Sequence, residues 1–245
     1  MYKPIKTNML CKICLIAALF LFSTQLVYSD IQNSFNYNEI QDLLAENKTK
    51  EAKELLSRYI SKNKQDYQAI SALAAIYLQD GDKKSALKWL NKGIAINESY
   101  LNNRFLRGKT YFLFNKFDES AAEFAIYIDL IGDPKGFSAQ EKDVRIRELF
   151  SIFDISFSVK SYEIAKDALK KILEMDEKDA SAMYNLGVYY YKVKNNRSKA
   201  YELFSKASAI DPASEIAKKS KYAIEFMRAN PDSRVEPDFS FINSD

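Results

Sequence analysis

Apolar residues recur every three or four positions along most of the chain, and these apolar stripes come in consecutive pairs. A short polar turn separates the two stripes of each pair, and the turns read ENKTK, QDGDKK, NKFD, KSYE and KNNRS. Residues three and four positions apart lie on one face of an α-helix. The pattern therefore predicts pairs of antiparallel helices, each helix with one buried face.

The pairs of stripes repeat with a period of 34 residues. At this offset Ala74 aligns with Gly108 and Leu90 aligns with Phe124, so a small residue and a large apolar residue recur at fixed places. The units run over residues 33–66, 67–100, 101–134, 146–179 and 180–214, and residues 135–145 fall between two of them. A repeat of this length is typical of stacked helical units that share one continuous core.

The stretch YNLGVYYYK, from Tyr184 to Lys192, is ambiguous by itself, because tyrosine and valine favour strands and glycine weakens helices. The repeat removes the ambiguity, since Gly187 aligns with Gly108 and the stretch becomes the first helix of the last pair. Gly187 is then predicted to be a contact point between two helices. Tyr190 is predicted to lie in the core.

These positions resemble the tetratricopeptide repeat (TPR) family. The last unit matches the family pattern almost throughout, at Met183, Leu186, Gly187, Tyr190, Ala200, Phe204, Ala207 and Pro212. Units 33–66 and 146–179 depart from it, because Ile40 and Phe153 occupy the position of the small residue. The resemblance implies an all-α fold, a right-handed superhelical array of about five helix pairs with a concave surface and a C-terminal capping helix.

The capping helix is predicted at residues 212–229, because Asp211-Pro212 is typical of a helix start and an apolar stripe follows. Residues 231–245 are predicted to form a flexible tail. In the insertion between units, SAQE (Ser138 to Glu141) fits a capping box, so the next helix is expected to begin near Ala139. The insertion fits an ordinary loop better than a functional hinge.

Residues 1–29 have the order of regions found in a secretory signal. A basic start is followed by the apolar run ICLIAALFLF, and Val27 and Ser29 suit a signal-peptidase site. This predicts an exported protein that is periplasmic or otherwise extracytoplasmic. The alternative is a membrane anchor formed by residues 10–27, and a membrane partner is expected only if this segment is retained.

The charge and composition of the chain argue against several kinds of function. The net charge of +3 comes from three lysines in residues 1–29, so the predicted mature chain is neutral and gives no support for nucleic-acid binding. Both cysteines, Cys11 and Cys14, lie in the same segment, and the chain has no histidine. These observations argue against histidine or cysteine catalysis and against most zinc sites, so neither an enzyme nor a cofactor is predicted.

The TPR resemblance implies that the first helix of each pair lines a concave groove. The predicted peptide-binding residues are Phe105, Lys109, Phe112, Arg147, Phe150, Asp154, Tyr184, Asn185, Val188 and Tyr191. Aromatic anchors with interspersed basic and amide groups suit an extended or helical peptide. Packing of some of these aromatic side chains against neighbouring repeats remains an open alternative.

The predicted function is therefore a non-enzymatic scaffold or adaptor in the cell envelope that binds a protein or peptide partner. One alternative is a chaperone-type protein that holds client proteins and is anchored by residues 10–27. Another is a hydrolase that uses a pair of carboxylates, for which Asp154 is the residue to test.

Overall fold

The computed structural model describes residues 37–231, and this part of the chain is helical, with eleven α-helices and no strand. The predicted all-α fold is confirmed. The predicted signal peptide at 1–29 lies outside the described residues, and so does the predicted tail apart from Pro231. None of the helices within residues 37–231 has the length and apolar character needed to cross a lipid bilayer.

The helices belong to two compact units, one up to Leu130 and one from Ile131 onward. The first unit contains three consecutive helix pairs, the last of which ends one residue beyond Leu130. They are α1 (Tyr37–Ala45) with α2 (Thr49–Lys62), α3 (Tyr67–Gln79) with α4 (Lys83–Ile96), and α5 (Leu101–Leu113) with α6 (Phe117–Ile131).

The second unit contains two helix pairs and a terminal helix. A 3-10 turn (Pro134–Gly136) precedes α7 (Ala139–Ser158) and α8 (Tyr162–Met175), which are followed by α9 (Ala180–Lys192) and α10 (Arg197–Ile210), and α11 (Glu215–Ala229) comes last. The terminal helix packs on both α10 and α9. The described residues thus form five pairs and one unpaired helix.

Acidic and hydroxyl side chains start several of these helices. Asp66, Asp82 and Asp179 each accept a hydrogen bond from a backbone N–H three residues later, which satisfies a donor that the helix itself leaves unpaired. The predicted capping box before α7 is confirmed. The Ser138 hydroxyl accepts from the N–H of Glu141 at 3.2 Å, and the Glu141 carboxylate accepts from the N–H of Ser138 at 2.8 Å.

The terminal helix begins later than the sequence pattern predicts. It starts at Glu215 rather than at Pro212, and the Ser214 hydroxyl accepts from the N–H of Ala217 at 3.2 Å. A serine at the cap supplies a hydrogen bond that a proline in the first turn cannot supply. Residues 212–214 therefore belong to the turn between α10 and α11.

The predicted contact at Gly187 is confirmed. A Cβ atom added at Gly187 would lie 2.7 Å from Cε1 of Phe204 on the partner helix, and one at Gly108 would lie 2.5 Å from Cε1 of Phe124. Where Ile40 and Phe153 replace the small residue of the first helix, the second helix still carries a fully buried alanine, Ala52 or Ala165. One small residue at the crossing is therefore kept in these two pairs.

Candidate peptide-binding groove

The groove residues predicted on α5 are mostly internal. Phe105 is only 4% exposed, and its ring centroid lies 5.8 Å from that of Tyr127 and 6.4 Å from that of Phe124, both on α6. Lys109 is 6% exposed, with its ammonium 5.1 Å from the centroid of the Phe105 ring. The prediction that Phe105 and Lys109 are accessible to a ligand is therefore wrong, because both side chains are buried.

Phe112 is the predicted α5 residue that stays partly accessible. It is half-buried, and its ring centroid lies 5.9 Å from that of Phe117, which is exposed at the start of α6. In the first unit the accessible part of the predicted groove is thus one aromatic side chain with an aromatic neighbour.

Tyr184 and Tyr191 on α9 are core residues, which corrects their assignment to the groove. Each is 8% exposed, and the Tyr184 ring packs 5.5 Å from the Phe204 ring. Burial raises the pKa of the Tyr184 hydroxyl above its usual range. Both side chains share a core cluster with Ile224 and Met227 of α11. The terminal helix therefore contributes to the core that encloses these two side chains.

The neighbouring tyrosines also differ from the expectation. Tyr189 is fully buried, whereas Tyr190, the predicted core residue, is half-buried at the edge of the same cluster. The Tyr189 hydroxyl donates to the Glu163 carboxylate at 2.8 Å, and the Lys194 ammonium contacts the same oxygen at 2.8 Å. Hydrogen bonds from Lys166, Lys194 and Tyr189 lower the pKa of Glu163 to about 2. This cluster joins α8 to α9.

Three predicted residues line one accessible face of α7. Arg147, Phe150 and Asp154 follow one another at spacings of three and four residues, which places them on one side of the helix. The Arg147 side chain is 41% exposed and pairs with Asp143 at 2.9 Å, and Phe150 is half-buried. Asp154 is exposed, yet desolvation by the surrounding protein raises the pKa of its carboxyl to about 6. The Asp154 side chain is therefore within reach of solvent and of a polar or cationic group.

Two predicted residues on α9 remain partly accessible. Asn185 and Val188 are half-buried and three positions apart, and Val188 also packs against the core cluster of the second unit. We use the name α7–α9 surface for the predicted residues that stay accessible on these two helices, Arg147, Phe150, Asp154, Asn185 and Val188. It combines a cation, an aromatic ring, a carboxylate, an amide and an aliphatic group, which are side-chain types that can contact a peptide.

A second feature, which the repeat pattern does not predict, is a cleft of about 270 Å³ between α10 and α11. We call it the α10–α11 cleft, and it is lined by Arg197, Ser198, Tyr201, Met227 and Arg228. The signal available in the sequence is Tyr201, a large aromatic residue directly after the buried Ala200 and so on another face of the helix. Tyr201 is one of the few large apolar side chains exposed among the described residues.

Within residues 37–231, no group of three or more His, Cys, Asp or Glu side chains is placed to hold a metal ion.

Comparisons with known proteins agree with this architecture. The family model for the anaphase-promoting complex, cyclosome, subunit 3 matches residues 18–125, which is less than half of the chain. Comparison with curated protein sequences gave no match.

Three solved structures illustrate the similarity of fold. MamA has a TM-score of 0.54 at 16% identity and covers 75% of this chain and 97% of its own. YrrB, described as a TPR protein with an unusual peptide-binding site, has a TM-score of 0.52 at 18% identity and covers 75% of this chain and 89% of its own. A tetratricopeptide repeat protein from Parabacteroides merdae has a TM-score of 0.55 at 16% identity and covers 84% of this chain and 74% of its own.

At these identities the likenesses establish the fold and nothing finer. The 34-residue period, the small residues at the helix crossings and the five helix pairs lead to the same result. The chain folds as a tetratricopeptide-repeat protein.

Proposed function

We propose that this protein is a non-enzymatic scaffold or adaptor that binds a protein or peptide segment on the α7–α9 surface. The observation that carries the proposal is the row of Arg147, Phe150 and Asp154 along one accessible face of α7. Asn185 on α9 adds an amide that can both donate to and accept from a peptide backbone. The peptide-binding site of YrrB, which has the same fold, supports the proposal by analogy.

The energetics of this surface suit a segment with an apolar anchor. A half-buried phenylalanine can bury its remaining area against a ligand, and aromatic side chains are common among residues that dominate binding energy. The two opposite charges on either side of Phe150 would fix the orientation and register of the ligand more than its affinity. A helix or extended strand with one apolar residue between an acidic and a basic residue is therefore the expected kind of ligand.

A photo-crosslinking residue placed at Phe150 in cells that produce the protein tests the proposal. Lys170, exposed on the second helix α8, is the matched control position. We expect one defined segment of a partner protein to be crosslinked at position 150, identified by mass spectrometry, with a several-fold loss when Arg147→Glu is added. Equal capture at positions 150 and 170, or capture that Arg147→Glu leaves unchanged, would contradict the proposal.

The proposed place of action is the cell envelope, and it rests on residues 1–29 alone. Intact-mass measurement of the protein from its native cell tests this part separately. A mature chain that begins at Asp30 supports export and cleavage. A chain that keeps residues 10–27 supports a membrane-anchored protein, and the alternative of a chaperone that holds clients at the membrane would then replace the free scaffold.

A further inference from the structure

The α10–α11 cleft carries positive charge on an apolar base. Two arginines, Arg197 and Arg228, line it, its apolar wall is formed by Tyr201 and Met227, and none of its lining residues is acidic. The Arg197 guanidinium donates to the carbonyl oxygens of Met227 at 2.6 Å and of Asn230 at 2.9 Å, so it holds the end of α11 against the start of α10.

Arg228 has remaining capacity for an anionic ligand. Its guanidinium lies over the Tyr201 ring at 5.5 Å, and one of its nitrogens donates to the Tyr201 hydroxyl at 2.5 Å. A guanidinium has five N–H donors in a planar fork that matches the geometry of a carboxylate. Because Arg228 is exposed, a carboxylate can approach it while an adjacent apolar side chain contacts Tyr201 and Met227.

Residues 232–245 carry acidic and aromatic side chains that complement the arginines and the apolar wall of this cleft. The segment DSRVEPDFSFINSD contains four acidic residues and one basic residue, and it carries Phe239 and Phe241 close to Asp238. Its net charge is −3, whereas residues 131–231 hold 18 Lys and Arg against 15 Asp and Glu, a net charge of +3. Charge complementarity of this kind favours association between the segment and the cationic surface.

The connection between the segment and the cleft is short. The chain leaves α11 at Asn230, whose carbonyl is already bonded to Arg197 in the cleft. Pro231 cannot continue the helix, and Pro237 biases Glu236 towards extended backbone. Seven extended residues from Pro231 to Asp238 reach about 25 Å at most, which allows the chain to turn back to a cleft beside its own start.

We propose that residues 232–245 bind in the α10–α11 cleft of the same chain, with a carboxylate of Glu236 or Asp238 on Arg228 and a phenylalanine against Tyr201 and Met227. This contact is separate from the α7–α9 surface and does not depend on the proposed function.

Carbodiimide crosslinking of the full chain tests the proposal. Arg228→Lys keeps the positive charge and provides an amine, and the reagent joins an amine directly to a carboxylate in contact with it. We expect amide products between position 228 and Glu236 or Asp238, in at least five-fold higher yield than products that link the segment to Lys218, an exposed lysine of the same helix. An equal yield at the two positions, or no product at position 228, would overturn the proposal.

The same reaction on an equal mixture of ¹⁴N and ¹⁵N chains identifies the occupant. Products of a single isotope show that the segment binds within its own chain. If about half of the products contain both isotopes, as random pairing between copies requires, the proposal is overturned in favour of a second copy as the source of the segment. Replacing Phe239 and Phe241 by alanine should lower the yield at least three-fold, since it removes the apolar part of the contact.

A second measurement uses the unaltered chain, in which Arg228 is present, as the reference. Arg234 is the only arginine in residues 232–245, so an arginine-specific protease reports how accessible the segment is. We expect Arg228→Glu to speed cleavage after Arg234 several-fold, and Lys218→Glu, which changes the charge equally, to leave the rate near that of the unaltered chain. Equal rates for all three proteins would contradict the proposal, and helical circular dichroism checks that each variant is folded.

Discussion

The crossing of α9 and α10 gives the sharpest test of the physical argument, through the substitution Gly187→Ala. The added Cβ would lie 2.7 Å from Cε1, 2.9 Å from Cδ1 and 3.2 Å from Cζ of Phe204. The Phe204 ring is 2% exposed and packs against Tyr184, so it has little room to withdraw. The closest contact is 0.7 Å shorter than the 3.4 Å at which ordinary van der Waals contact begins.

Helix preference and overpacking change the free energy of unfolding of the Gly187→Ala variant in opposite directions. Alanine is favoured over glycine inside a helix by about 1 kcal/mol, which would stabilise the protein. Overpacking of a closely packed core costs about 1 to 3 kcal/mol. We therefore expect Gly187→Ala to lower the free energy of unfolding by about 1 kcal/mol. Gly187→Leu, with three further carbon atoms at the same crossing, should cost several times as much.

Urea unfolding followed by circular dichroism at 222 nm measures the change, provided that the slope of the transition stays the same. A double-mutant cycle with Phe204→Leu isolates the contact. Phe204→Leu should destabilise the unaltered protein more than it destabilises the Gly187→Ala variant, because the smaller side chain relieves the overlap. A coupling of about 1 kcal/mol is expected.

Ala122→Gly provides the control for helix preference alone, since Ala122 is exposed in the interior of α6. It should cost about 1 kcal/mol, the intrinsic difference between the two residues. The reasoning is refuted if Gly187→Ala stabilises the protein by this full amount, or if the cycle with Phe204→Leu is additive. Either result would show that the ring accommodates a Cβ atom without strain.

Three further predictions concern contacts that hold consecutive helices together. The pKa of Glu163 is lowered to about 2 in the folded protein, so the ionised carboxylate stabilises the fold above pH 4.5, and this stabilisation is lost as the pH falls from 4.5 towards 2. Glu163→Gln should therefore flatten the plot of the urea midpoint against pH between pH 4.5 and 2. An unchanged slope would contradict the lowered pKa. Ser138→Ala removes the capping box and should lower the free energy of unfolding of the second unit by about 1 kcal/mol, which hydrogen exchange of the first turn of α7 measures. Ser138→Thr keeps a hydroxyl at the cap and should retain most of this stabilisation. The Lys83 ammonium donates to the carbonyl of Leu113 at 2.8 Å and so joins the start of α4 to the end of α5. Lys83→Met should lower the free energy of unfolding in urea by about 1 kcal/mol, whereas Lys84→Met, at the exposed neighbouring position, should change it little. Equal effects of the two substitutions would contradict the contact.

The pairing of helices could be predicted from the sequence because it depends on residues within one repeat. Gly187 and Phe204 are 17 positions apart and Gly108 and Phe124 are 16 apart, so the crossing follows from local periodicity with one inserted residue in the last unit. The start of α7 was predictable for the same reason, since both partners of its capping box lie within four residues. The start of α11 was predicted three residues early because two helix-start signals, Pro212 and Ser214, compete there, and only the hydrogen bond to Ala217 decides between them.

The groove was harder to predict because exposure depends on neighbours outside the repeat. The pattern assigns equivalent places to Phe105, Phe150 and Tyr184, yet only Phe150 keeps substantial accessible area. Phe105 is enclosed by rings of its own helix pair, and Tyr184 is enclosed by a core to which the terminal helix contributes. A periodic pattern gives the direction of a side chain from its helix, but it does not say which later helix will cover that direction.

This difference changes what mutagenesis of the predicted groove can report. Tyr184→Ala would remove a ring that packs at 5.5 Å on Phe204, and truncation of a large buried aromatic side chain typically costs about 3 to 5 kcal/mol. Lys109→Glu would reverse a charge on a side chain that is 6% exposed, where solvent cannot screen the change. Loss of partner binding in either variant would therefore follow from damage to the fold as readily as from loss of a contact. Arg147→Glu changes an exposed group and should leave the unfolding midpoint nearly unchanged, whereas Phe150→Ala removes a half-buried ring and should lower the midpoint less than Tyr184→Ala does. Loss of binding in both variants, with the fold intact, is therefore the observation that assigns the surface.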